Sequence, residues 1–101
     1  MSDLPDFGFA PPPFKAEEAL VQLRRSLRDV KPLAERGASF ELRGQPVLEL
    51  AVADGAIAAR LARRPAVAPE WDRVTVKSGA DQRKLFDEIR KRVERWSREE
   101  P

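Results

Sequence analysis

The dipeptide Asp54-Gly55 stands between two runs in which apolar side chains recur at every second position, and that combination restricts the chain more than any other feature it carries. Both residues tolerate the positive φ of a type I′ turn, and a two-residue turn of this type matches the twist of the strands it joins. Such a loop sets Ala53 against Ala56 and continues the pairing as Val52 with Ile57, Leu50 with Ala59 and Leu48 with Leu61. The pairs Val52–Ile57, Leu50–Ala59 and Leu48–Leu61 fall on one face of the hairpin. On the other face the same register places Glu49 across from Arg60, an opposite-charge pair worth roughly 0.2 to 1 kcal/mol.

Two further strands flank the hairpin in sequence. Phe40 and Leu42 alternate with Glu41 and Arg43, and Val74 and Val76 alternate with Arg73, Thr75 and Lys77 over Arg73 to Lys77. The turn through Gly44, Gln45 and Pro46 is less regular. A two-residue loop there opposes Leu42 to Val47, out of phase with Leu48, so a longer loop or a bulge is expected and the register of this first hairpin stays open. Arg64 to about Glu70 is read as a proline-bounded loop, and Trp71 after it as a lid on one edge of the core.

Helical periodicity brackets the strands. Ala16, Leu20, Leu23, Leu27 and Val30 recur at spacings of three and four, which predicts a helix over about 14–30, with Glu17 and Glu18 at its positive end and Arg24, Arg25, Arg28 and Lys31 toward its negative end. Pro32 discourages its continuation. Ser78 and Asp81 open a second helix in the manner of a capping box, and Leu85, Phe86, Ile89, Val93 and Trp96 fall within about 100° of its wheel. Its charges are paired acid before base at i,i+4, Asp87 with Lys91, Glu88 with Arg92 and Glu94 with Arg98, which marks a solvated surface.

The resulting order is αββββα. Two helices with one apolar stripe each, and a sheet with one apolar face, satisfy each other as an α+β two-layer sandwich, a four-stranded antiparallel sheet with both helices on one face. The 101 residues suit one such domain, over 14–101. Residues 1–13 read separately as a tail rich in proline and phenylalanine.

The same composition withdraws most of the equipment of enzymes. The chain has no histidine, cysteine or tyrosine, so the commonest general base, a thiolate nucleophile and a cysteine-ligated metal are all missing. No GxGxxG or GxxxxGK[ST] spacing occurs among the five glycines. Glu17 with Glu18, and Glu99 with Glu100, are sequence neighbours that point to different sides of a helix, and Ser78 beside Lys77 reads as a cap. The expectation is a protein that is not an enzyme and has no cofactor or metal. The absence of a basic-then-apolar leader and of a long apolar run gives a cytoplasmic expectation with no membrane partner.

Candidate binding residues lie on the outward face of the sheet. Ala51, Ala53, Ala58 and Ala62 form a floor of small side chains where an open sheet ordinarily carries longer polar ones, which points to a covering protein, a partner or a second copy. Phe7 and Phe9 in the tail are the second candidate contact, either folding back on the domain or captured by another protein. The alternative is a weak binder of nucleic acid or another polyanion through Arg43, Arg60, Arg63, Arg64, Arg73 and Lys77, given a net charge of +2. No aromatic residue is expected on that face, so base stacking has no platform.

Overall fold

A computed structural model describes residues 14–99, and the order of elements is α1 Ala16–Arg28, β1 Ala34–Arg36, β2 Ser39–Leu42, β3 Gln45–Ala53, β4 Ala56–Ala62, β5 Trp71–Val76 and α2 Gly79–Arg98. The described residues are α+β, with two helices and one antiparallel sheet in the order β1-β2-β3-β4-β5. The sheet has five strands, and the four-stranded αββββα reading is corrected on that point. The extra strand is β1, three residues, Ala34, Glu35 and Arg36, with no apolar alternation to announce it. It pairs with β2 through Gly37 and Ala38, with Gly37 at φ 59°, the position a type II′ turn reserves for glycine.

The central hairpin follows its turn. Asp54 and Gly55 have φ of 54° and 74°, and β3 pairs with β4 as Ala53 with Ala56, Val52 with Ile57, Leu50 with Ala59, Glu49 with Arg60 and Leu48 with Leu61. The first hairpin turns one residue earlier than the glycine alone suggests. Arg43 and Gly44 take φ of 53° and 83°, Leu42 pairs with Gln45, and a bulge between Phe40 and Glu41 brings Phe40 opposite Leu48. The bulge absorbs Val47, so Val47, Leu48, Leu42 and Phe40 are all buried despite the apparent clash of phase.

One hydrophobic cluster contains Ala16, Ala19, Leu23 and Leu27 of α1, Leu85, Ile89, Val93 and Trp96 of α2, and Phe40, Leu48, Leu50, Ile57, Ala59, Leu61 and Val76 of the sheet. Both helices therefore cover the same face. Each large aliphatic side chain withdrawn there contributes about 1.5–3 kcal/mol. Helix α2 starts as its sequence specifies, since Ser78 Oγ accepts from the Asp81 N–H at 3.1 Å and Asp81 Oδ2 accepts from the Lys77 N–H at 3.0 Å. Helix α1 has no side-chain cap at Lys15, and packing holds it. Its C-terminal turn is also tied to β1, where Arg28 Nε donates to Glu35 Oε1 at 2.6 Å and Arg24 lies 3.8 Å from the same carboxylate. Those contacts, led by the Arg28 hydrogen bond, hold the Glu35 carboxyl below its usual range.

Gly55→Val places a β-branched side chain on left-handed backbone, which costs about 1–2 kcal/mol. The expected melting temperature is lower than that of the unaltered chain by about 4–16 °C. Glu94→Gln on the exposed side of α2 is expected to stay within about 0.5 kcal/mol. Equal melts for the two variants contradict the turn.

Candidate functional site

Because side chains alternate along a strand, burying Leu48, Leu50, Ile57, Ala59 and Leu61 under the helices turns Glu49, Ala51, Ala53, Ala58 and Arg60 to the other face. Ala51, Ala53 and Ala58 are exposed there. Ala38, Ser39, Glu49, Leu50, Ala51, Ala58 and Arg60 line an open depression of about 430 Å³ on this side. Ala51 and Ala58 form its floor, Ala38 and Ser39 at the start of β2 form one wall, and Ala53 lies on the same face outside its lining. Ala38 and Ser39 escaped the sequence reading because the Gly37-Ala38 turn joins a strand with no periodic signal.

Ala62 does not belong to the open floor. It is fully buried, lying directly opposite Trp71 in the β4–β5 pair. The exposed patch thus ends where the indole begins. Trp71 also corrects the expectation of a face without aromatics: its cross-strand partner Ala62 shares the outward side with Ala58 and Arg60, and the Arg60 guanidinium carbon stands 4.7 Å from the indole centroid. The ring is consequently occupied by a cation rather than open to a base.

Arg60 is doubly held, for Glu49 Oε1 accepts from its Nε at 3.0 Å and from its Nη2 as well. Arg73 is its cross-strand neighbour in β5. Arg63 is held too, donating from Nε to Asp72 Oδ1 at 2.9 Å with Glu70 at 3.5 Å. Arg92 of α2 completes this group, 3.0 Å from Asp72 Oδ2, 2.8 Å from Glu88 Oε2, and donating to the carbonyl of Ala62 at 2.9 Å. Hydrogen bonds from Arg63 and then Arg92 hold the Asp72 carboxyl below its ordinary value. Arg43 occupies the β2–β3 turn rather than the strand face. Arg64, Arg73 and Lys77 are exposed and make no ion pair within 4 Å among the described residues. Phe7 and Phe9 lie outside the described residues.

A larger groove, about 810 Å³, runs between the helices past Val30, Phe86 and Val93. Its rim alternates in sign, with Asp29, Lys31, Asp87, Arg90, Lys91 and Glu94, and Arg90 stands 5.8 Å from the Phe86 ring. Of the three i,i+4 pairs expected on α2, Glu88–Arg92 and Glu94–Arg98 are bridged and Asp87–Lys91 is not, and Arg92, with its side chain 16% exposed, is tied to the sheet rather than solvated. The outer sheet face is the better candidate because its floor is apolar and its charges stand at the margins. No group of three potential metal-ligating side chains occurs among the described residues, and no described helix is long and apolar enough to cross a membrane. Neither a family model, nor a curated protein, nor a solved structure matches the chain.

The Asp72 network makes a prediction in acid. A carboxyl whose folded-state pKa is depressed contributes stability fully above its unfolded value, about 3.9, and loses that contribution as pH falls toward the folded value. Asp72→Asn is expected to lower the melting temperature at pH 7, with the gap to the unaltered protein closing below about pH 4. Melts at pH 7, 4, 3 and 2 check this, and a gap that persists unchanged at pH 2 contradicts it.

Proposed function

We propose that the chain is a small non-enzymatic protein-interaction module that binds through the outer face of its sheet, on Ala51, Ala53 and Ala58. The observation that carries this reading is the depression of about 430 Å³ with an apolar floor, flanked by a side chain that is already fixed. The Glu49–Arg60–Trp71 arrangement holds one border in a single conformation, so a ligand does not have to order it on binding. Small floor residues let a covering backbone approach closely. The absence of histidine and cysteine agrees with a binding role.

A second reading rests on a specific observation, the three exposed cations Arg64, Arg73 and Lys77 without ion-pair partners among the described residues. Polyanion binding on three cations has a log–log salt slope of about −2.7, whereas contact on an alanine floor changes little with salt.

The chain has no cysteine, so Thr75→Cys, at an exposed position opposite Ala58, gives a single attachment point for a photo-crosslinker. Ala51→Glu in that background is expected to keep the fold, at a cost below about 1 kcal/mol, while abolishing the adducts the labelled chain forms in cell extract. Adducts that survive Ala51→Glu in a folded variant contradict the reading. Adducts that survive it and vanish with added salt favour the polyanion alternative.

A further inference from the structure

We propose that the free edge of β5 takes an acidic extended segment of another protein as an added strand, held by the main chain of Arg73 and Thr75 and by the side chains of Arg73 and Lys77. This edge is separate from the alanine floor, and the inference stands without the reading of that face.

The main-chain groups of β5 divide by alternate residues. The Leu50 N–H donates to the Ala38 carbonyl at 3.1 Å, toward β2, so Ala51 and Ala58 exchange hydrogen bonds between β3 and β4, and Ala59 turns its own groups to β5. Ala59 faces Val74, Leu61 faces Asp72 and Ile57 faces Val76, which commits those three residues of β5 to β4. The Arg63 N–H continues the series, donating to the Glu70 carbonyl at 2.9 Å. Trp71, Arg73 and Thr75 therefore direct N–H and C=O away from the sheet, and β5 has no second neighbour among the described residues. The open stretch has defined ends, because Pro69 has no N–H and the Lys77 N–H is taken by Asp81 Oδ2 at 3.0 Å. Extended segments dock on such edges through the main chain, with alternate side chains setting specificity. The opposite edge, β1, has only three residues to offer.

The side chains along the edge name the partner's chemistry. Trp71, Arg73 and Thr75 lie opposite Ala62, Arg60 and Ala58, so they share the outer side of the sheet, and Lys77 follows at the same period. Arg73, Thr75 and Lys77 are exposed, and neither cation makes an ion pair within 4 Å among the described residues. Arg60 and Arg63, by contrast, are held by Glu49 and Asp72. On the helix side Val74 packs against the core and is only half-buried. An added strand that alternates acidic with apolar residues satisfies both sides, with carboxylates beside Arg73 and Lys77 and an apolar side chain beside Val74.

A second copy of the chain suits this edge poorly. Trp71, Arg73 and Thr75 of one strand must face the same set in the other, so a symmetric pair centres on a single residue. Centring on Asp72 sets two carboxylates directly opposite, centring on Arg73 sets two guanidinium groups opposite, and centring on Thr75 sets Arg73 against Lys77. Centring on Val74 avoids direct opposition but gathers Arg73 and Lys77 of both copies on one side of the seam. Cations placed along an edge oppose pairing with a like strand and leave it open to an acidic one. A nucleic acid brings phosphates but no ladder of alternating donors and acceptors.

The test titrates the full chain, labelled with nitrogen-15, with a short capped peptide in which glutamate alternates with valine. Amide exchange with water, read by saturation transfer, is expected to slow about tenfold at Arg73 and Thr75 when about 90% of the chains hold peptide. Arg73→Glu, with its melting temperature preserved, is expected to weaken binding about tenfold, and Ala51→Glu to leave it unchanged. The peptide N-methylated at each glutamate, the residues whose N–H faces β5, is expected not to bind. Unchanged exchange at Arg73 and Thr75 in millimolar peptide overturns the inference. Equal binding of the N-methylated peptide, or equal protection by a single-stranded oligothymidylate, overturns it too, because charge alone then holds the ligand. Protection without peptide that grows with protein concentration assigns the edge to a second copy and also overturns it. Peptide-induced shifts confined to Ala51 and Ala58, and lost in Ala51→Glu, overturn it while leaving the outer face standing as a binding surface.

Discussion

Asp54 and Gly55 hold left-handed backbone at φ of 54° and 74°, and nearly everything else in the molecule depends on the pairing that this turn imposes. Side chains alternate with a period of two, so a slip of β4 by one residue against β3 exchanges the two faces of the slipped strand. In the observed register Leu48, Leu50, Ile57, Ala59 and Leu61 meet the helices, and Glu49, Ala51, Ala58 and Arg60 do not. With β4 slipped by one, Ala58 and Arg60 turn toward the core and Ile57, Ala59 and Leu61 toward solvent. The hydrophobic difference between those states includes Ile57 and Leu61 at about 1.5–3 kcal/mol each, which makes the register a property of the whole fold.

The helices close one face and leave the other open, and the polar contacts respect that division. Arg28 and Glu35 secure α1 to the edge strand β1, while Arg92, Asp72 and Arg63 secure α2 to the ends of β4 and β5. On the open face the ion pair lies at the border of the alanine floor, with Arg60 between Glu49 and Trp71. The side chains best suited to attract an anion are therefore partly committed to the protein itself. Arg60 is committed to Glu49 and Trp71 at the border of this face, and Arg63 to Asp72, which lies opposite the buried Leu61.

The central hairpin, the two amphipathic helices and the Ser78 cap were legible in the sequence because in each the local signal and the tertiary demand agree. Strand β1 was not, since Ala34, Glu35 and Arg36 have no apolar alternation and their pairing depends on a turn whose glycine looks like any other. The first hairpin was half legible. Its phase conflict announced a bulge, but the turn itself uses Arg43 at positive φ, a conformation that arginine composition gives no reason to expect. Ala62 reads as an outward alanine like Ala58, and only the strand pairing that sets Trp71 opposite it explains its burial. The outward turn of Ala51, Ala53 and Ala58 was visible from the turn alone, whereas the wall that Ala38 and Ser39 raise beside Ala51 and Ala58 was not.

Cross-strand proton contacts test the register most directly. The Leu50 N–H donates to the Ala38 carbonyl at 3.1 Å, toward β2, so Leu50 faces Ala59 as a pair without mutual hydrogen bonds, and Val52 faces Ile57 in the same way. In such pairs the α-protons come closest. The account predicts strong α-proton to α-proton nuclear Overhauser effects between Leu50 and Ala59 and between Val52 and Ile57. Strong effects instead between Leu50 and Ala58, or between Ala51 and Ala59, mean that the strands are offset, and they contradict the assignment of both the core and the open face.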